Sequence, residues 1–264
     1  LSEDIVKGCD LIIHLAAWAG VRHSLEQPDV YTKNNIMGTQ NVIDIAEKLN
    51  IPVVYASSSS VYAGQTPPFM EDMSFTHHLN PYAWSKYVNE CQFKHSNVCS
   101  SIGFRFFTVY GPYGRPDMAP HKFTSAILSG KPIDVFNNGK MERDFTFIDD
   151  LVEAVYKLVP CKPDCAKNKN ITNDSISPVG PWRVINIGNS KPIKLLDFIS
   201  TIETCTGISA KKNFMPMQAG DVVATWADTE LLYNLTGYSP NTELHFGISQ
   251  FISWFRSYYG NKYK

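Results

Sequence analysis

Three strand-length apolar runs alternate with helical patterns in the first 108 residues, and that alternation leaves few folds open to the chain. The runs are Asp10-Leu-Ile-Ile-His-Leu-Ala-Ala17, Ile51 to Ala56 and Ser101-Ile-Gly-Phe-Arg-Phe-Phe-Thr108. Continuous apolar strands of this kind belong to a parallel sheet covered on both faces. Between them, Ile36, Val42, Ile43, Ile45, Ala46 and Leu49 recur at helical spacing over about 28–49, and 82 to about 96 reads as a second helix. The order strand, helix, strand, helix, strand implies right-handed crossovers. The expected fold class is therefore α/β, a doubly wound parallel sheet of Rossmann type. From Tyr110 onwards Gly and Pro become frequent and the elements shorten, as in a smaller mixed α/β substrate lobe at the carboxyl ends of the strands.

One part of such a sheet is missing from the sequence. No GxGxxG or GxxGxxG turn, which would seat a pyrophosphate at a helix N-terminus, occurs in the 264 residues. The chain opens where a third or fourth strand is expected, so the first βα units, about 60 residues, are expected to precede it in a longer protein.

The formal net charge of -1 offers no field for nucleic acid or an anionic membrane. No apolar run approaches the roughly 18 residues of a membrane span. The six cysteines are scattered, only Cys161 and Cys165 lie near each other with no His pair following at zinc-site spacing, and reduced thiols in a cytoplasmic protein are the expected state.

Chemistry enters with ASSSSVYAG at 56–64 and PYAWSK at 81–86. A serine-ended strand is usually only a turn, and a lone YxxxK is usually an exposed helix face. Here the two occur in succession, and Pro81 starts the helix, which puts Tyr82 and Lys86 one turn apart on one face. A phenol is too weak an acid, near pKa 10, to serve as a base at neutral pH. A neighbouring ammonium is expected to lower that pKa. A hydroxyl at the strand end could then hold the oxygen that loses its proton.

At this point the chain resembles the extended short-chain dehydrogenase/reductases, in the NAD-dependent epimerase/dehydratase family, closest to the UDP-glucuronate 4-epimerases as a group. The likeness runs from His14 to about Tyr259. It rests on HLAAWAGVRHS (14–24), NNIMGTQNV (34–42), ASSSSVYAG, PYAWSK, RFFTVYGPYGRPDMA (105–119), GKMERDFTFIDD (139–150) and QAGDVVATWAD (218–228). It implies Ser58 as the catalytic hydroxyl, Tyr82 as the base and Lys86 as the residue that also holds the nicotinamide ribose. Leu15, Ala16, Ala17 and Asn35 are implied beside the NAD. Ser59, Ser60, Thr108 and Arg115 are implied at the sugar, Arg143 at the diphosphate and Asp221 at the uridine ribose. Arg115 suits a sugar with a C5 carboxylate, which a guanidinium grips through two hydrogen bonds.

The resemblance further implies that residues 1–109 are the C-terminal part of an NAD-binding domain, with returns near 143–159 and 183–188. Residues 110–142 and 160–264 then form mainly a UDP-sugar lobe. The implied activity is NAD-dependent inversion at C4 of a UDP-uronic acid through a transient 4-keto sugar. A UDP-glucuronate decarboxylase, another 4-epimerase or an inactive UDP-sugar-binding relative stay open. A dehydratase is disfavoured, because Ser59 and Ser60 stand where those enzymes carry an Asp-Glu pair. The family's dimers form a four-helix bundle, here from the helices near 30–49 and 82–96, and capsule or lipopolysaccharide sugars are its usual products.

Overall fold

The computed structural model describes residues 2–75, 77–164, 171–218 and 221–260. Helix α1 (Glu3–Val6) leads into β1 (Ile12–His14), the short helices α2 (Val21–Glu26) and α3 (Pro28–Tyr31), then α4 (Gly38–Leu49), β2 (Val53–Ala56), α5 (Pro81–Lys94) and β3 (Ser101–Phe106). The second part runs β4 (Thr108–Tyr110), α6 (Ala119–Leu128), β5 (Pro132–Val135), β6 (Glu142–Phe147), α7 (Ile148–Leu158), β7 (Trp182–Ile187) and β8 (Pro192–Lys194). It ends with α8 (Leu195–Thr206), β9 (Lys211–Phe214), β10 (Ala224–Thr225), α9 (Glu230–Thr236) and α10 (Leu244–Tyr259).

β1, β2, β3 and β7 pair in that order, all parallel, as the apolar runs require. Alternate residues face opposite layers. Val53, Tyr55 and Val184 pack with Val42, Ile43 and Ala46 of α4 and Phe93 of α5. Val54, Ile102, Phe104, Ile185 and Ile187 pack with Leu151, Ala154 and Leu158 of α7 and with Leu231 and Leu232 of α9. Each such side chain taken fully out of water contributes about 1.5–3 kcal/mol before entropy is counted. Gly103 is required where it stands, since a Cβ there would lie 2.6 Å from the Tyr55 ring. That ring crosses β3 so that the Tyr55 hydroxyl can accept the indole N–H of Trp182 on β7, at 2.8 Å.

Two of the apolar runs are cut shorter than their hydropathy predicts. β1 ends at His14, and Leu15, Ala16, Ala17 and Trp18 run exposed past its end. The run 101–108 breaks at Phe107, whose N–H still bonds to the Ile187 carbonyl. The next residue, Thr108, pairs instead with Phe145 of β6. Phe107 is thus the pivot between two sheets, the second being β10-β6-β4 with β8 antiparallel on β6. β5 and β9 pair separately. The second core gathers Phe145 and Phe147 with Phe198 and Ile202 of α8 and Phe251 and Phe255 of α10. Asp144, fully buried, accepts from the backbone N–H groups of Asn189, Ser190 and Ala227 at 2.7, 3.0 and 3.1 Å, tying β6 to the segment after β7. Among the described residues no helix is long and apolar enough to cross a membrane.

Candidate active site

The serines at the end of β2 are not equivalent. Ser57 continues the ladder through its N–H to the Phe104 carbonyl, and its hydroxyl donates to Glu90 at 2.5 Å. Ser58 is extended and caps a single 3₁₀ turn, Ser59–Tyr62, its Oγ accepting from the N–H of Ser60 at 3.1 Å. The same hydroxyl is hydrogen-bonded to the phenol of Tyr82. Tyr82 is delivered by the start of α5, where the Asn80 side chain accepts from the Ala83 N–H at 2.8 Å and Pro81 occupies the first turn. Such a cap and an N-terminal proline fix where the helix begins, and so which residues open its first turn.

Lys86, one turn on and buried, donates from Nζ to the Ala56 carbonyl at 2.9 Å. Burial lowers its pKa to about 8, against the pull of Glu90. The phenol departs from the reading that Lys86 lowers its pKa. Burial raises Tyr82, and the groups that draw it back down are the Ser58 hydroxyl and then the Arg115 charge. The ammonium is spent on a carbonyl at the end of β2, so Lys86 ties helix to strand in this arrangement.

Leu15, Ala16 and Ala17 lie exposed beyond the carboxyl end of β1. Asn35 is buried and does not face the same surface. Its amide oxygen accepts the Trp18 N–H at 2.8 Å, while its nitrogen donates to the Trp18 carbonyl and to Ser85 Oγ, both at 3.0 Å. The hydrogen bonds of its side chain therefore go to the loop that follows β1 and to α5. What aims it is a π-helical turn, Thr32–Met37, between α3 and α4. The loop is also held by Tyr31, whose hydroxyl donates to Gly20 at 2.8 Å and whose ring meets Tyr82 edge-on at 6.1 Å. Gly20 takes φ of 113°, a conformation that other residues rarely adopt. His14, half-buried at the end of β1, is held neutral: burial and the nearby Lys86 bring its pKa to about 4, and its Nε2 meets Thr39 Oγ1 at 3.0 Å.

Ser59 and Ser60 remain half-buried on the 3₁₀ turn, and Thr108 is half-buried at the start of β4. Arg115, in the turns after β4, is within electrostatic range of Tyr82 and forms a two-pronged pair with Asp117. Arg143 and Asp221 come together from β6 and the segment before β10: Arg143 donates to the Glu142 and Val223 carbonyls at 2.8 and 3.1 Å, and Asp221 offsets the cost of burying it. Arg22, which the motif reading passed over, reaches this cluster from α2. It lies 3.7 Å from Asp221 and sits over the Phe136 ring at 5.5 Å.

Beneath the serines lies a second group that was missed. Arg105 grips both oxygens of Glu90 at 2.9 and 2.7 Å and donates to the Tyr62 hydroxyl at 2.7 Å, all buried. The signal was present, because an arginine in the middle of an apolar strand needs a buried anion. Glu90 thereby joins Ser57, next to Ser58, to the helix that carries Tyr82 and Lys86.

The architecture is that of a nucleotide-binding α/β fold in which the Ser58 and Tyr82 hydroxyls meet at the carboxyl end of a parallel sheet. The chain belongs to the NAD dependent epimerase/dehydratase family, which it matches over residues 2–171. It is 42% identical to protein CapI of Staphylococcus aureus, the similarity spanning 95% of this chain and 77% of that one. It is 40% identical to a probable UDP-glucuronate 4-epimerase of Rhizobium meliloti, over 95% of this chain and 75% of the relative. Among solved structures it is similar to the UDP-glucuronic acid 4-epimerase of Bacillus cereus in complex with UDP-glucuronic acid and NAD. That likeness has a TM-score of 0.83 at 32% identity and covers 97% of this chain and 78% of that one.

Proposed function

We propose that this chain catalyses the NAD-dependent inversion at C4 of a UDP-uronic acid, interconverting UDP-glucuronate and UDP-galacturonate. The relatives' named activity supports the reaction, and the Ser58–Tyr82 hydroxyl pair within range of the Arg115 charge is the observation that carries the reading to these residues. The residues fit the nicotinamide end of the cofactor. Small side chains, Ala16 and Ala17, leave the surface at the end of β1 open, and the buried ammonium of Lys86 stands beside the end of β2 to meet a ribose hydroxyl. NAD, when bound, supplies a reversible acceptor for the two electrons and the hydrogen at C4.

The chain's own residues do the rest. Tyr82 takes the proton of the 4-hydroxyl, and Ser58 holds that oxygen through the hydrogen bond it now makes to the phenol. Ser59, Ser60 and Thr108 line the sugar, and Arg115 grips its carboxylate. Arg143, joined by Arg22, meets the diphosphate, and Asp221 accepts from the uridine ribose. A ketone at C4 makes the sugar a β-keto acid, and Arg115 opposes loss of CO2 by holding the carboxylate out of alignment. In this reading the β1-β2-β3-β7 layer with α7 is the cofactor part, and the β4-β6-β10 sheet with α6, α8 and α10 is the sugar lobe. Two copies pair through the faces of α4, the π turn before it and α5, where Met37 of the turn and Trp84 of α5 stand exposed, and the enzyme works in the cytoplasm on sugars destined for surface polysaccharide.

The test is to incubate the protein with UDP-glucuronate and NAD and follow the anomeric protons by NMR. UDP-galacturonate is the expected product. A UDP-pentose would make the enzyme a decarboxylase, and an unchanged but bound sugar would leave it a binding protein. Tyr82→Phe is expected to lose turnover by about a thousandfold or more while keeping UDP-sugar affinity within a few fold; a fully active variant would refute the assignment of the base.

A further inference from the structure

Arg115, assigned above to the sugar's carboxylate, already holds a carboxylate of its own. Its Nε and one terminal nitrogen donate to the two oxygens of Asp117 at 3.0 and 2.5 Å. This is the geometry in which a guanidinium would take a uronic acid. The two side chains are about half exposed, at 47% and 57%, so the pair is solvated and held by little free energy.

The contact is built by local geometry. Tyr113 stands at φ of 62° with its ring 5.3 Å from that of Trp254. The Gly114 N–H bonds to the Gly111 carbonyl and the Met118 N–H to that of Arg115, so residues 111–118 form two successive turns that bring Asp117 beneath Arg115. The pair also lies toward the chemistry: the charge of Arg115 is felt at Tyr82 and Tyr31, and that of Asp117 at Tyr31.

We propose that Asp117 is an internal stand-in for the substrate's carboxylate, occupying Arg115 until a uronic acid displaces it and receiving the guanidinium back when the sugar lets go. The proposal rests on the substrate reading given above. Two carboxylates cannot share one edge of a guanidinium, so a uronate that takes the two-pronged grip must expel Asp117. A neutral hexose has no group to make the exchange and leaves the pair intact. The exchange also serves turnover. Inversion requires the ring to present both faces to one side of the site, so the C5 carboxylate leaves Arg115 briefly while the ring turns and is gripped again, out of alignment for loss of CO2, once either face is presented. Asp117 gives the guanidinium a partner in that interval and lets the sugar turn.

The experiment is to titrate the wild-type protein, Asp117→Asn and Asp117→Ala with UDP-glucuronate and with UDP-glucose by calorimetry. Both variants are expected to bind UDP-glucuronate about two- to fivefold more tightly, with UDP-glucose unchanged. Asp117→Glu, which keeps a carboxylate, is expected to restore the weaker binding. In steady-state assays KM for UDP-glucuronate falls in the Asn and Ala variants and kcat falls with it. Unchanged or weaker UDP-glucuronate binding would overturn the exchange and leave Asp117 as a residue that only props Arg115. If the wild-type protein bound UDP-glucose but not UDP-glucuronate, the uronate assignment itself would fail, and the exchange with it.

Discussion

Lys86 shows how a single side chain is placed at a cost to stability. Its folded pKa of about 8 lies below the ordinary lysine value of 10.5 because the ammonium is buried. For a base, a depressed folded pKa means that the folded state holds its proton less tightly than the unfolded chain. The penalty is therefore complete below pH 8 and fades as the pH rises from 8 towards 10.5. Lys86→Met is expected to raise stability at pH 7, by at most about 3 kcal/mol, the ceiling set by the shift, while abolishing epimerisation. Thermal melts at pH 7 and pH 10 check this: the gap between variant and wild type should narrow at the higher pH, and a less stable variant at pH 7 would contradict it. The placement of Ser58, Tyr82 and Lys86 was legible in the sequence, since each follows from a strand end, a helix start and one turn of helix. The direction of the Tyr82 shift was not, because the ammonium's choice of the Ala56 carbonyl depends on where a strand 30 residues earlier ends.

At the level of elements, the π turn at Thr32–Met37 decides what Asn35 does. Apolar spacing over 28–49 announces a helix, and a helix is there. One extra residue in a turn leaves that spacing nearly intact while swinging the side chains that follow it. That is why the segment could be read and the direction of Asn35 could not. Asn35→Ala removes both bonds to the Trp18 backbone and strands buried groups, a cost of about 1–3 kcal/mol. Faster hydrogen exchange at the Trp18 amide is the expected sign, with a KM for NAD raised several-fold and kcat much less affected. An unaltered Trp18 amide would mean that Tyr31 alone secures the loop. The Glu90–Arg105 pair works between elements in the same way. Glu90→Gln is expected to lose about 3–5 kcal/mol, since it leaves a buried guanidinium without its anion, and denaturant unfolding would measure it.

For the molecule as a whole, Asp144 is a buried joint between the second sheet and the segment that follows the first. Asp144→Ala deprives three amides of their acceptor, that of Ala227 buried, and should destabilise the protein by about 1–3 kcal/mol. Exchange at Asn189, Ser190 and Ala227 should accelerate ahead of the strand interiors; uniform acceleration everywhere would argue that the joint is not a local one. The parallel sheet was evident from three apolar runs, yet the break at Phe107 was hidden inside one of them, because hydropathy does not record a change of partner strand. The position of β7 beside β3 has a consequence for how the chain is made. The bond from Trp182 to Tyr55 closes a span of 127 residues, and the bond from Tyr62 to Asn186 one of 124. A chain emerging from the ribosome therefore carries β1, β2 and β3 with one flank of β3 unpaired from the completion of β3 at Phe106 until β7 begins at Trp182. Contacts so distant in sequence form slowly. The hydroxyls of the active site can be complete as a covalent string long before the fourth strand arrives to hold them still.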